Sequence, residues 1–220
     1  YADCVEGAKE MDTICGNGVY EKGEILGTPA MEEAYAMERR CSNVKVLMLN
    51  GSPRSNGNTA IALHEMEQIF QQNGIETEIL HIGNKDIVAA LPVAPVKNRK
   101  VLFDDLVNET APKLEACDGL VVGSPVYYAS ANATLVAFLT RLFYSTHFDK
   151  TMKVGAAVVA ARRGGLSATF DELNKFFTIC GMPVASSQYW NSIHGREAGE
   201  AAQDAEGLMG SDLSSPSQES

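Results

Sequence analysis

Between residues 44 and 190 short apolar runs alternate with stretches of helical spacing. Val44–Leu49 is apolar at all but one position and ends in Asn50-Gly51-Ser52-Pro53, the pattern of a buried strand running into a turn. From about Asn58 a helix is predicted, with Ile61, Leu63, Met66, Ile69 and Phe70 largely on one side and a stop at Asn73-Gly74. Ile75–Ile82 alternates as a second strand would. Helical spacing returns at Leu102, Leu106, Leu114 and Ala116, and Leu120–Ser124 is a third strand. Asn132–Tyr144 reads as a helix, Val154–Ala160 as a continuous apolar strand, and Phe170, Leu173, Phe176 and Phe177 mark another helix. Met182–Tyr189 is expected to supply the fifth strand.

Strands that alternate with helices, several of them apolar throughout, imply a parallel sheet covered on both faces, because parallel connections need crossovers that place helices there. The class is therefore α/β, a doubly wound five-stranded parallel sheet. Two regions break the rhythm. Residues 88–101 carry Pro92 and Pro95, which oppose both helix interior and central strand, so an apolar loop is assigned. Beyond Trp190 a closing helix is due, yet residues 197–220 offer only Leu208, Met209 and Leu213 as large apolar groups, so that helix is expected to be missing or replaced. The organisation read from this is an N-terminal extension over 1–42, with one helix suggested by Thr28-Pro29 ahead of Met31, Ala34 and Tyr35, a domain over 43–196, and an acidic, Ser-rich, disordered tail over 197–220.

Charge sharpens the division. The formal net charge of −10 lies in the flanks: residues 197–220 hold Glu197, Glu200, Asp204, Glu206, Asp212 and Glu219 with no Lys or Arg. The near-neutral centre offers no basic stripe for nucleic acid, and the acidic ends oppose an anionic membrane. No apolar run is long enough to span a bilayer and the start lacks signal-peptide order, so a cytoplasmic protein is expected. Cys4, Cys15 and Cys41 match no zinc spacing, Cys117 and Cys180 sit in apolar helical contexts, and no histidine pair has ligand spacing on one helix face; free thiols and no metal site are expected.

Candidate chemistry lies in the loops after strands one, three and four, which an open parallel sheet brings to one edge. In Gly51–Thr59, glycines permit close backbone approach and Ser52, Arg54, Ser55, Asn56, Asn58 and Thr59 surround a helix start whose N–H groups suit a phosphate. P-loop and dinucleotide spacings are absent, which favours a monophosphate; an ordinary polar turn is the alternative. Pro125-Val126-Tyr127-Tyr128 sets two aromatics where a flat ring could stack, although either Tyr could instead serve the core or an interface. Arg162, Gly164 and Gly165 follow strand four, where an Arg could stabilise a reduced ring or simply be solvated.

Gly51–Thr59, Ser124–Asn132, Arg162–Gly165 and Trp190-Asn191-Ser192 together resemble the NADPH-dependent FMN reductase and iron–sulfur flavoprotein branch of the flavodoxin-like superfamily. The resemblance implies strand order 2-1-3-4-5 and bound FMN. Ser52, Arg54, Asn58 and Thr59 would meet the phosphate, Pro125–Tyr128 would lie beside the isoalloxazine, and Arg162, Gly164 and Gly165 would form the third loop. It also implies NADPH or NADH as donor and a homodimer or homotetramer. Ala90, Val93, Val96 and Val101 fall where many such proteins carry cysteines, and these cannot replace thiolate ligands, so no iron–sulfur cluster is expected. The function expected is an NAD(P)H oxidoreductase that passes electrons through FMN to a small acceptor such as a quinone or flavin. No catalytic residue is assigned, since the hydride step needs no side-chain acid or base; Tyr128 and Arg162 would cover or tune the ring. An electron carrier for protein partners and a non-catalytic FMN-binding or interaction protein are the alternatives.

Overall fold

The computed structural model describes residues 28–32, 44–87, 105–187 and 189–210. Strands β1 (Lys45–Asn50), β2 (Glu76–His81), β3 (Gly119–Pro125), β4 (Val154–Ala161) and β5 (Ser192–His194) form one sheet in the order β2-β1-β3-β4-β5. Every neighbouring pair is parallel. Helices α1 (Asn58–Gln72), α2 (Leu106–Ala116), α3 (Ala133–Ser145) and α4 (Leu166–Thr178) make the crossovers. This is the expected flavodoxin-like order, and it places the carboxyl ends of β1, β3 and β4 side by side.

Alternate side chains of the strands leave on opposite faces, and the core divides accordingly. Leu47, Leu49, Leu120, Val122, Ala157 and Val159 pack with α2, α3 and α4 through Val107, Phe138 and Phe177. Val46, Met48, Val121, Val158 and Ile193 pack on the other face against Ala62, Leu63 and Met66 of α1. Gly155 is required by this packing: a Cβ there would lie 2.4 Å from Cγ of the buried Phe177.

The fifth strand is not Met182–Tyr189. Of its described residues only Val184 pairs with β4, in a single parallel bridge to Gly155, and the pairing resumes at Val159↔Ser192. The offset between partners grows from 29 to 33 residues, so four extra residues leave the ladder. That excursion carries the tilted pair Tyr189 and Trp190, whose ring centroids are 4.9 Å apart. Alternation reads apolar content and cannot see which residues an edge strand leaves out of its ladder. His194 is consequently the last residue of β5.

Part of the expected tail is structured. Residues 200–203 form a 3-10 helix and Ala205–Gly210 a short helix, α5. Ala201 is fully buried and Leu208 packs against the α1 face, so this pair replaces the closing helix. Residues 211–220 lie outside the described residues, as do the loop expected over 88–101 and residues 1–27 and 33–42 of the extension. Residues 28–32, taken by themselves, hold the predicted helix start, with Thr28 Oγ1 accepting from Met31 N–H at 3.4 Å. Among the described residues no helix is long and apolar enough to cross a membrane.

Candidate active site

β1 ends on Asn50, whose buried side chain organises the loop that follows. Its Oδ1 accepts from Ser52 N–H at 3.0 Å and its Nδ2 donates to Ser55 O at 3.3 Å, an Asx turn. Ser52 Oγ in turn accepts from Arg54 N–H at 3.2 Å. His81, at the end of β2, lies with Nε2 2.7 Å from Ser52 O; a carbonyl only accepts, so Nε2 carries the proton. Gly57 then caps α1, and a Cβ on it would come within 3.2 Å of Arg54 Cβ and 3.3 Å of Ser52 Oγ. The first-turn N–H groups of Asn58 and Thr59 have no acceptor within the helix and point out of its positive end.

The loop after β3 is built differently. Val126 N–H is held by Ala160 O at 2.9 Å, and Tyr127 and Ser130 exchange both backbone bonds, at 2.9 and 3.0 Å, around a two-residue turn. Such a turn requires positive φ at its centre, normally met by Gly or Asn. Here Tyr128 and Ala129 adopt φ of 53° and 59°. Glu172 of α4 holds the geometry: its carboxylate accepts from Ser130 Oγ at 2.9 Å and from Ala131 N–H at 2.8 Å. Gly165 presses on the same turn with φ of 91°, and a Cβ there would lie 3.0 Å from Ala129 Cα and Val126 Cγ1. Buried Asn132 joins the two loops, donating Nδ2–H to Gly51 O at 2.7 Å and to Gly83 O at 3.3 Å while its N–H donates to Ser124 Oγ.

Between these loops runs a cleft of about 250 Å³ at the carboxyl edge of the sheet. Of the residues singled out from sequence, Ser52, Arg54, Asn58 and Thr59 line one part and Pro125, Val126, Tyr127 and Arg162 another. Ser55, Asn56, Tyr128, Gly164 and Gly165 lie on the same loops outside the wall. Tyr128 is fully exposed at the turn's tip. Gly195 and Arg196 also form the wall, and sequence reasoning missed them because it closed the fifth strand too early. The wall holds three arginines, Arg54, Arg162 and Arg196, and no carboxylate, on a chain whose net charge is −10. Asn58 differs from expectation in one respect: its side chain is engaged by Glu197 O, Gly199 N–H and Ala201 N–H, leaving its backbone N–H as the group directed to the cleft.

A parallel sheet with an anion-suited helix start and an aromatic turn at its carboxyl edge defines a flavodoxin-like nucleotide-binding protein. Residues 44–197 match the NADPH-dependent FMN reductase family, and the chain belongs to that family, as a flavin-dependent oxidoreductase. It is 31% identical over 174 residues to an iron-sulfur flavoprotein of Methanocaldococcus jannaschii, covering 75% of this chain and 90% of the relative. An NAD(P)H:quinone oxidoreductase from Methanothermobacter marburgensis superposes with a TM-score of 0.58 at 13% identity, over 77% of this chain and 94% of the other. A flavodoxin from the domain Archaea gives 0.50 at 15%, over 77% and 96%. The last two share the fold, and the fold alone does not separate enzyme from carrier.

Proposed function

We propose that this chain is an FMN-dependent NAD(P)H oxidoreductase that delivers electrons to a small acceptor such as a quinone or a free flavin. The single observation that carries the reading is the cleft wall, which unites Arg54, Arg162, Arg196 and the start of α1 with Tyr127 at the base of the aromatic turn. Ser52, Arg54, Ser55, Asn56, Asn58 and Thr59 hold the phosphate, through backbone N–H groups at the helix start and the Arg54 guanidinium. Pro125, Val126, Tyr127 and Tyr128 border the ring, with Arg162, Gly164 and Gly165 along its other margin. FMN when bound supplies the redox chemistry, taking a hydride from the nicotinamide and releasing electrons to the acceptor. The chain orients the flavin and leaves a solvent-open approach beside the exposed Tyr128.

The electron route ends at the small acceptor, without an iron–sulfur cluster. Residues 88–101 contain no cysteine, with Ala90, Val93 and Val96 there and Val101 at its end; these positions lie outside the described residues. Cys117 and Cys180 precede β3 and β5, at the amino edge of the sheet, opposite the cleft. Burial pushes the Cys117 thiol above its usual range, which works against a thiolate ligand. A homodimer or homotetramer accords with exposed Tyr128 and Tyr144.

The test is spectroscopic. Purified protein should be yellow, bleach anaerobically with NADPH or NADH, and turn over repeatedly on a quinone. Bleaching without turnover on any small acceptor would favour a carrier for protein partners, and stoichiometric iron would overturn the cluster-free route.

A further inference from the structure

Beyond β5 the chain folds back over the first residue of α1. Gly195 N–H donates to Ala161 O at 3.0 Å, which ends the ladder with β4. The next residues are then fastened to one side chain. Asn58 Nδ2 donates to Glu197 O at 3.0 Å, and Asn58 Oδ1 accepts from Gly199 N–H at 3.0 Å and Ala201 N–H at 3.2 Å. Gly195 lies so close that a Cβ would stand 2.5 Å from Asn58 Nδ2. Glu200 closes the loop on itself by accepting from Arg196 N–H at 2.7 Å, and that bond with the one from Glu197 N–H holds its carboxyl below the usual range. The backbone at residue 196 is thus tied on both sides.

Its side chain is not tied. Arg196 forms part of the cleft wall, and its guanidinium is paired with Glu197, with Nε 3.3 Å from Oε1 and both side chains about two-thirds exposed, at 64% and 69%. A solvated pair of that kind contributes little and exchanges readily for a better anion. Ser52, Gly57 and Thr59 of the first loop line the same cleft, so the anion within reach is the one held at the start of α1.

We propose that residues 195–201 form a strap over the phosphate end of the cleft, in which Arg196 leaves Glu197 to contact a phosphate monoester and Asn58 is a positioning residue that sets the strap in place. The inference rests on the FMN reading and deepens it: the phosphate is that of the flavin. The nicotinamide's 2′-phosphate has the same chemistry, and the experiment separates the two.

Dissociation constants for FMN and for riboflavin, which lacks the phosphate, are compared in the wild type and in Arg196→Gln, Asn58→Ala and the double variant. KM for NADPH and NADH is measured alongside, and thermal unfolding reports folding. Arg196→Gln should weaken FMN about tenfold, the scale of one lost hydrogen bond to a charged group, and leave riboflavin unchanged. Asn58→Ala should cause the same selective loss, and the double variant should be no worse than the weaker single one, because both act through one contact. Arg196→Lys should restore part of the affinity. Equal losses for FMN and riboflavin, or none, would overturn the strap while leaving the FMN reading intact. A raised KM for NADPH alone would assign the anion to the nicotinamide and overturn it too. A wild type that binds neither flavin would remove both readings at once. If Asn58→Ala fails to fold, the exposed Arg196→Gln decides by the same FMN-to-riboflavin ratio.

Discussion

The two ends of the cleft are built by opposite means. At the phosphate end the loop is shaped by its own neighbours, since Asn50 reaches Ser52 and Ser55, two and five residues away, and Ser52 reaches Arg54, two away. At the ring end the turn Tyr127–Ser130 holds two non-glycine residues in left-handed conformation and depends on Glu172, 42 residues beyond Ser130. Left-handed backbone at such residues costs about 1–2 kcal/mol each, and it persists only where surrounding structure enforces it. One end is therefore relaxed and shaped largely by local bonds, with His81 and Asn132 bracing the Ser52 and Gly51 carbonyls, and the other is strained and held by Glu172. The difference teaches that anion binding came with the strand-to-helix turn, whereas ring binding required a device of its own.

Asn132 is the element common to both ends, so its loss should produce the largest effect. Asn132→Ala would strip the donor from the buried Gly51 and Gly83 carbonyls, and at about 1–3 kcal/mol for each buried group left unpaired the destabilisation should be about 3 kcal/mol. FMN and riboflavin should weaken together, because both ends shift. Loss confined to FMN would show that the ends are not joined through this amide. Denaturant midpoints and flavin titration measure the two quantities.

Glu172→Ala should break the ring end alone. It removes acceptors from Ser130 Oγ and Ala131 N–H at a half-exposed site, a cost of about 1.5 kcal/mol, the lower end for bonds to a charged group. Riboflavin and FMN should lose affinity by equal factors, since the phosphate loop has no bond to Glu172. A larger loss for FMN than for riboflavin would contradict the separation drawn here.

This contrast also sets how much was legible in the sequence. The phosphate loop, the helix start at Asn58 and the alternation of strands with helices could be read because each follows from residues close together or from apolar periodicity, while the strand order came with the family resemblance. Tyr127 and Tyr128 were legible as aromatics, but nothing in Ser124–Asn132 announces a hairpin with Tyr and Ala at its tip, since turn chemistry calls for Gly or Asn there. Glu172 was invisible, because on α4 it is one more polar residue on a helix. Arg196 was lost through the fifth strand: Met182–Tyr189 follows a helix, where that strand is due, and four residues leaving an edge ladder leave no mark in alternation. The short apolar content of 200–210 read as a tail because Ala201 and Leu208 suffice to cover the α1 face.

Tyr128→Gly sharpens the claim of strain. Glycine adopts φ of 53° without steric cost and gives back about 0.5–1 kcal/mol in chain entropy, so relief of about 1–2 kcal/mol should leave the variant more stable by up to about 1 kcal/mol. Tyr128 is fully exposed, so no core packing is lost. Flavin affinity should nevertheless fall, which would separate stability from binding at one residue. A lower melting temperature would mean that the left-handed geometry carries no strain.

The smallest effect tests where the phosphate end stops being shaped by local bonds. Asp204 accepts from His194 N–H at 2.6 Å and Gly207 N–H at 3.1 Å, fastening the end of β5, and with it Gly195 and Arg196, to α5. Burial pushes its carboxyl up, but the His194 and Gly207 N–H groups and the His194 ring outweigh that and hold it below the usual range. A carboxylate whose pKa is lowered by folding stabilises fully above its unfolded value, about 4, and loses that contribution as pH falls through the folded value. Asp204→Asn should therefore lower stability by about 0.5 kcal/mol at pH 7, less than one full hydrogen bond because the amide oxygen still accepts one of the two. The gap between variant and wild type should close as pH falls below about 4 and through the lowered folded value in denaturant titrations, because the native carboxyl then becomes neutral as well. A gap that stays constant down to the lowest pH would show that Asp204 acts by packing rather than by charge. In that case the strap depends on Asn58 alone, and the phosphate end remains as locally built as its first loop.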